Sequence, residues 1–169
     1  MDATSAKSKL ILLATDFSET AHGALAEAAA VARERGAKLL ILHVQGPSVA
    51  YAQSGPCYGV PEMESSVLNQ KLHTIVPPGD GIVCEHVLVL GDPATEIVRI
   101  ARKENVDMIV MGTEGRGGLS RLLMGSVAEA VLRTAPCPVL TYRGRQRSPA
   151  AEKRLTPLVP LRSQTESCQ

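Results

Sequence analysis

Five glycines, Gly112, Gly115, Gly117, Gly118 and Gly125, crowd one short stretch of this 169-residue chain, and Ser126 follows the last of them. Each glycine inside regular structure costs roughly 0.5–1 kcal/mol relative to alanine, so the concentration needs a reason. One reason is chemical. Gly112 and Gly115 are three apart, and Gly125 with Ser126 opens a helical segment. A helix N-terminus presents free N–H groups and a partial positive charge, and glycines there let phosphate oxygens approach the backbone closely. The Ser126 hydroxyl would add a donor. The spacing is neither a Walker A loop, which needs Gly-Lys-Ser/Thr, nor the three-glycine dinucleotide fingerprint. The other reason is structural. Ser126 and Glu129 form an S-x-x-E capping box, Gly112 suits a strand-exit turn, and Gly117 and Gly118 supply loop freedom. Asp16, just ahead of Ser18, either meets a ligand or supports a helix N-terminus. Arg116 and Arg121 either neutralise phosphate or sit in solvent. From residue types alone both readings explain the same residues.

Other chemistries find little support. His22, His43, His73 and His86 are scattered among different segments, with no Ser/His/Asp or Cys/His constellation. Cys57, Cys84, Cys137 and Cys168 form no C-x-x-C pair, which argues against a zinc or redox motif. Pro136 and Cys137 lack the second cysteine and the H-x-E of a zinc deaminase. Aromatic residues make up 2% of the chain, with no Trp and one Phe, so surfaces that stack bases are not expected. A net charge of +1 gives no field for polyanions. The early run "LILLA" is too short to span a bilayer and lacks the shape of a cleavable signal. The expectations are no nucleic acid, no membrane and a cytoplasmic location.

The elements that must position these residues alternate. "KLILLATDF" reads as a buried strand ending at Asp16, and "SETAHGALAEAAAVARERG" as a helix capped by Ser18 and closed by Gly36. "KLLILHV" is a second buried strand. Residues from Gln45 to Pro61 show no periodicity and read as a surface loop. A helix is expected from about Glu62 to Ile75, then a third strand in "IVCEHVLVLG". A further helix is capped by Asp92, with Pro93 at its first position and Ile97, Ile100 and Ala101 inward. "DMIVMG" is the fourth strand, "SVAEAVLRTA" the last helix and "CPVLTYR" the fifth strand. Pro138 inside that strand puts it at a sheet edge. The pattern is α/β, a doubly wound five-stranded parallel sheet with helices on both faces. Residues 1–144 form one domain on this reading. Residues 145–169, mixing Pro, Ser and charge, read as a disordered or loosely packed tail.

In such sheets ligands bind beyond the carboxyl ends of the strands, where strand order reverses. Asp16 ends strand one, Val44 ends strand two, and the glycine loop follows strand four, so three features meet at one edge. The arrangement G-x2-G-x9-G-[S/T], met by Gly112, Gly115, Gly125 and Ser126, resembles the nucleotide-binding signature of the universal stress protein family. "DMIVMGTEGRGGLSRLLMGSVAEAVLRTAPCPVL", "LLATDFSETA", "LLILHV" and "VLVLGDPATEIVRIA" are similar to that family's segments, from about Lys9 to Arg143. The resemblance implies a Rossmann-like fold of strand order 3-2-1-4-5 and a cytoplasmic homodimer paired along strand five. It also implies binding of ATP, with Asp16 at the ribose hydroxyls and the Val44 backbone at adenine. Gly112, Gly115, Gly125, Ser126 and the backbone N–H of Val127 would hold ribose and phosphates, with Mg2+ or Mn2+ bound through the phosphates. The expected activity is a nucleotide-dependent stress-response regulatory module with at most slow hydrolysis, since no base or arginine finger is evident. Two alternatives remain. One is a stress protein that does not bind ATP and works through dimer or partner contacts. The other is an adenylating or nucleotide-hydrolysing enzyme, whose H-I-G-H or S-G-G-x-D-S motifs are absent here.

Overall fold

The computed structural model describes residues 9–46, 49–52, 55–58, 62–113 and 125–144. Its elements are β1 (Leu10–Ala14), α1 (Glu19–Arg35), β2 (Lys38–Gln45), β3 (Val49–Ala52), β4 (Gly55–Tyr58) and α2 (Glu62–His73), then β5 (Cys84–Leu90), α3 (Pro93–Lys103), β6 (Met108–Gly112), α4 (Ser126–Thr134) and β7 (Val139–Tyr142). Five strands form one parallel sheet in the order β5-β2-β1-β6-β7. Counted along that sheet alone, this is the expected order 3-2-1-4-5.

The strands are aliphatic because both faces are covered. Along β1, Ile11 and Leu13 pack with Leu39, Ile41, Val110 and Leu72 on the side of α1 and α2. Leu12 faces the other way, with Leu40, Leu42, Ile109 and Met111 beneath α3 and α4. Each side chain so buried stabilises the fold by roughly 1.5–3 kcal/mol, and period-two alternation divides that gain between the two layers. α1 buries Ala21, Ala24, Ala28, Ala29 and Ala32, small residues that let its backbone ride close to the sheet. At Gly23 the approach is closest: a Cβ there would run into the ring of Tyr142 on β7.

The helix ends follow the sequence signals in most places. The Ser18 hydroxyl accepts from the Ala21 N–H, and Gly36 closes α1 in the left-handed conformation at φ 58°. Asp92 caps α3, with Pro93 in its first turn. Three expectations are corrected. The stretch from Gln45 to Pro61, expected as a loop, contains the antiparallel pair β3 and β4, with Val49 opposite Tyr58 and Ala52 opposite Gly55. Glycine and proline in "SGPCY" masked the strand signal, although Val49 and Tyr51 favour extended backbone. Pro138 lies just ahead of β7 rather than within it, and its carbonyl accepts from the Ile109 N–H at 3.0 Å. Proline lacks the donor a strand interior needs but can still accept, which suits the position before a strand. Ser126 is the first residue of α4, not its cap; Gly125 occupies the cap position, and among the described residues no side chain caps the helix end. Gly115, Gly117, Gly118, Arg116 and Arg121, together with the tail 145–169, lie outside the described residues.

Candidate functional site

The chain runs from β1 outward to β2 and β5, then returns to the other side of β1 as β6 and β7. The reversal falls between β1 and β6, the place at which sheets of this kind open a crevice beyond the carboxyl ends of their strands. Ala14 is level with both Leu42 and Met111. Asp16, Val44 and Thr113, each two residues further on, therefore stand at one height along this edge.

The segment after β1 turns sharply. Phe17 has φ 64°, uncommon for a non-glycine residue, and the turn is held by two side-chain acceptors. Thr15 Oγ1 accepts from the Phe17 N–H at 3.1 Å, and Asp16 Oδ1 accepts from the Ser18 N–H at 3.0 Å. Asp16 thus does support the start of α1, as the structural reading expected. Its carboxylate is fixed at the mouth of the crevice by that bond.

Val44 packs with Ala14 and Val127 against the core beneath α3 and α4, so these three share one side of the sheet. Gly112 does not join them. It closes β6 on the opposite side, where a Cβ would press on Thr20 at 3.1–3.3 Å, including the Thr20 backbone carbon. The missing side chain at Gly112 serves the seating of α1. Gly125 is pinned to the end of β6: its N–H donates to the Thr113 carbonyl at 2.8 Å, and a Cβ would lie 3.0 Å from that oxygen. Residues 113 and 125 therefore pinch together the two ends of the glycine-rich segment.

At α4 the first turn keeps its donors. A helix leaves its first N–H groups without intrahelical partners, and a side-chain cap ordinarily takes one or two of them. Gly125 has no side chain to offer, Ser126 is exposed, and Glu129 is turned to Arg133 in an ion pair of 2.6 Å. The N–H groups of Ser126 and Val127 thus open at the switch-point edge with no side-chain cap among the described residues. This arrangement fits an anionic ligand: backbone donors with helix-dipole polarity on one wall, and a carboxylate suited to sugar hydroxyls on the loop after β1.

Several residues beside the crevice escaped the sequence reading. His43 is buried, with Nδ1 donating to the Thr15 carbonyl at 2.7 Å and its ring 4.4 Å from that of Phe17. Lys71 lies over the other aromatic partner, 4.5 Å from the Phe17 centroid. Gln45 is buried on the α2 side, where its Oε1 accepts from Ser65, and its Nε2 has no partner among the described residues. The local sequence carries one available signal: a polar His and Gln interrupting the aliphatic run of β2 near its carboxyl end. Burial pushes the half-buried Cys137 thiol above its usual pKa, away from the thiolate form. No described helix is long and apolar enough to cross a membrane.

A sequence model of the Universal stress protein family matches residues 7–143. The Thermus aquaticus protein named "Universal stress protein in QAH/OAS sulfhydrylase 3'region" is 38% identical over 141 residues, spanning 80% of this chain and 98% of its own. Universal stress protein MJ0577 of Methanocaldococcus jannaschii is 33% identical over 153 residues, 80% of this chain and 94% of its own. Its solved structure superposes with a TM-score of 0.59 over 82% of this chain and 97% of that one. The same fold occurs in a universal stress protein solved in complex with cAMP, 21% identical with a TM-score of 0.60 over 80% and 97% of the two chains. It occurs again in one from Archaeoglobus fulgidus in complex with dAMP, 23% identical with a TM-score of 0.59 over 80% and 97%. With a family match running from β1 to β7 and relatives above 30% identity across four-fifths of its length, the chain belongs to the universal stress protein family.

Proposed function

We propose that this chain binds ATP in the crevice between β1 and β6 and acts as a nucleotide-dependent regulatory module in a stress response. The observation that carries the reading is the uncapped first turn of α4, facing the edge that also holds Asp16. Two proteins of this fold were solved with adenine nucleotides, which supports that ligand class. Asp16 would accept from the ribose hydroxyls while keeping its bond to the Ser18 N–H. The Val44 backbone would meet the adenine edge, and its side chain would flank the base. Ser126 and Val127 would present N–H groups and a hydroxyl to the phosphates, and Gly125, its own N–H held by the Thr113 carbonyl, would let the phosphates approach without a side chain in the way. Gly112 holds α1 in place beneath them, and Gly115, outside the described residues, would join in holding ribose and phosphates. Mg2+ or Mn2+ would neutralise phosphate charge, bound through the phosphates rather than by a protein cage.

Hydrolysis on this arrangement is slow at most. Backbone donors bind phosphate in ground state and transition state alike, and uniform binding does not raise turnover. On this reading the nucleotide serves as a state marker rather than a fuel. The chain would work in the cytoplasm as a homodimer. β7 pairs only with β6 among the described strands, leaving its outer side to a second copy.

The test is to denature the protein as purified, identify any released nucleotide by chromatography, and titrate the emptied protein with ATP and Mg2+. Saturable binding of one ATP per chain is expected, weakened by Asp16→Ala. An emptied, folded protein with no affinity for adenine nucleotides would overturn the reading and leave the dimer or partner surface as the working part.

A further inference from the structure

The last residue of α2 and the middle of β5 bring two imidazoles together away from the crevice. The rings of His73 and His86 lie with centroids 5.0 Å apart and planes inclined by 32°. Each ring is held by a backbone carbonyl: His73 Nδ1 lies 2.8 Å from the Asn69 oxygen, and His86 Nε2 lies 2.9 Å from the Ile75 oxygen. A carbonyl can only accept, so both of those ring nitrogens carry the proton. The tautomers are thereby set. His73 keeps a lone pair on Nε2 and His86 keeps one on Nδ1.

That is the state a metal ion requires. Ligating imidazoles commonly donate their other N–H to a carbonyl or carboxylate, which fixes the ring and raises its basicity. With metal–nitrogen bonds of about 2.0–2.1 Å and a tetrahedral angle, two imidazoles sharing one ion have centroids roughly 5 Å apart. The 5.0 Å separation of the two rings matches that spacing. His73 is exposed and His86 half-buried, so an ion can enter from solvent. Among the described residues no third His, Cys, Asp or Glu joins them, so water completes the coordination.

We propose that His73 and His86 form a two-histidine site for a divalent transition metal of the imidazole-preferring class, such as Zn2+, Ni2+ or Cu2+. Nitrogen donors select these ions over Mg2+, which keeps the site chemically separate from a cation carried on nucleotide phosphates. Bound metal ties the carboxyl end of α2 to β5, an edge strand of the sheet. It thereby clips shut the connection from residue 74 to residue 83. Because the ion binds the folded arrangement and not the unfolded chain, it raises stability with its concentration.

The experiment uses the untagged full chain in excess Mg2+. Zn2+ is titrated by calorimetry, and Cu2+ is followed by electron paramagnetic resonance for nitrogen hyperfine coupling. One ion per chain is expected, with two coupled imidazole nitrogens, a midpoint that rises with Zn2+, and affinity at least tenfold weaker in His73→Ala. His73 is on the surface of its helix, so that variant keeps the fold. His22→Ala, which removes an imidazole from α1, leaves the affinity unchanged. Zn2+ affinity equal in wild type and His73→Ala, or a Cu2+ spectrum with one nitrogen or none, would overturn the assignment.

Discussion

Two helix starts in this molecule are built on opposite plans. At α3, Asp92 Oδ1 accepts from both the Thr95 N–H at 3.0 Å and the Thr95 hydroxyl at 2.6 Å, and Pro93 removes a donor that would otherwise go unpaired. That helix satisfies its own end. At α4, the cap is a glycine, the nearest hydroxyl is not used, and the first-turn carboxylate of Glu129 pairs with Arg133 instead. Both helices pack on the same face of the same sheet, so layer and burial do not explain the difference. Their places do. α4 begins at the switch point between β1 and β6, where donors left open have a use, whereas α3 begins at the outer edge after β5.

The comparison can be broken most forcefully by giving α4 a charge of the kind α3 has. Ser126→Asp places a carboxylate in the first turn, where the helix dipole favours it by about 0.3–1 kcal/mol. Stability should hold or rise, while ATP affinity falls about 100-fold, roughly 3 kcal/mol. Calorimetric titration beside thermal denaturation reads both, and unchanged affinity would mean the phosphates lie elsewhere.

Gly112 separates packing from binding within the same edge. Gly112→Ala presses a methyl on the Thr20 backbone and should cost about 1–3 kcal/mol in urea unfolding. A variant as stable as the wild type would show that α1 can yield, and would return Gly112 to the ligand.

A paired serine substitution sharpens the contrast between used and unused caps. Ser18→Ala removes the acceptor of the Ala21 N–H and should cost about 1 kcal/mol. Ser126→Ala removes no cap bond, so its unfolding midpoint should match the wild type within error. Equal losses in the two variants would mean that Ser126 caps α4 in solution.

The smallest effect concerns acid. Hydrogen bonds from the Thr95 hydroxyl and N–H hold the Asp92 carboxyl below its usual pKa. Its contribution is therefore fully present above the unfolded value of about 3.9 and is lost as pH falls through the lower folded value. Asp92→Asn keeps an acceptor that does not titrate. Below about pH 4, its midpoint should decline less steeply with acid than that of the wild type. Parallel declines would show that the carboxylate adds nothing beyond an acceptor.

What could be read from the sequence was what local chemistry dictates. β1, β2 and β6 are legible because strands buried on both faces must be aliphatic throughout, and Ser18, Gly36, Asp92 and Pro93 announce helix ends by their own backbone requirements. The capping box at Ser126 and Glu129 failed by one residue of register: the pattern is present, but α4 starts a position earlier than that box needs. Gly112 has a packing role that no local pattern announces. Its reason is Thr20, a residue remote in sequence that only the pairing of β1 with β6 brings near. β3 and β4 were hidden because glycine and proline lower strand propensity, while antiparallel pairing overrides it. The height shared by Asp16 and Val44 was legible, since each sits at the carboxyl end of an aliphatic strand. The uncapped state of α4 was not, because it depends on where Glu129 turns.

The central claim is that the first-turn donors of α4 receive the phosphates of an adenine nucleotide. A titration of the isotope-labelled protein followed by amide nuclear magnetic resonance tests it directly, with ATP and Mg2+ in one series and adenosine in the other. The account predicts saturable shifts at the Ser126 and Val127 amides with ATP that adenosine does not produce, while Val44 responds to both and Thr95 at the start of α3 to neither. Shifts at Ser126 and Val127 that are absent, or the same with adenosine, would contradict it.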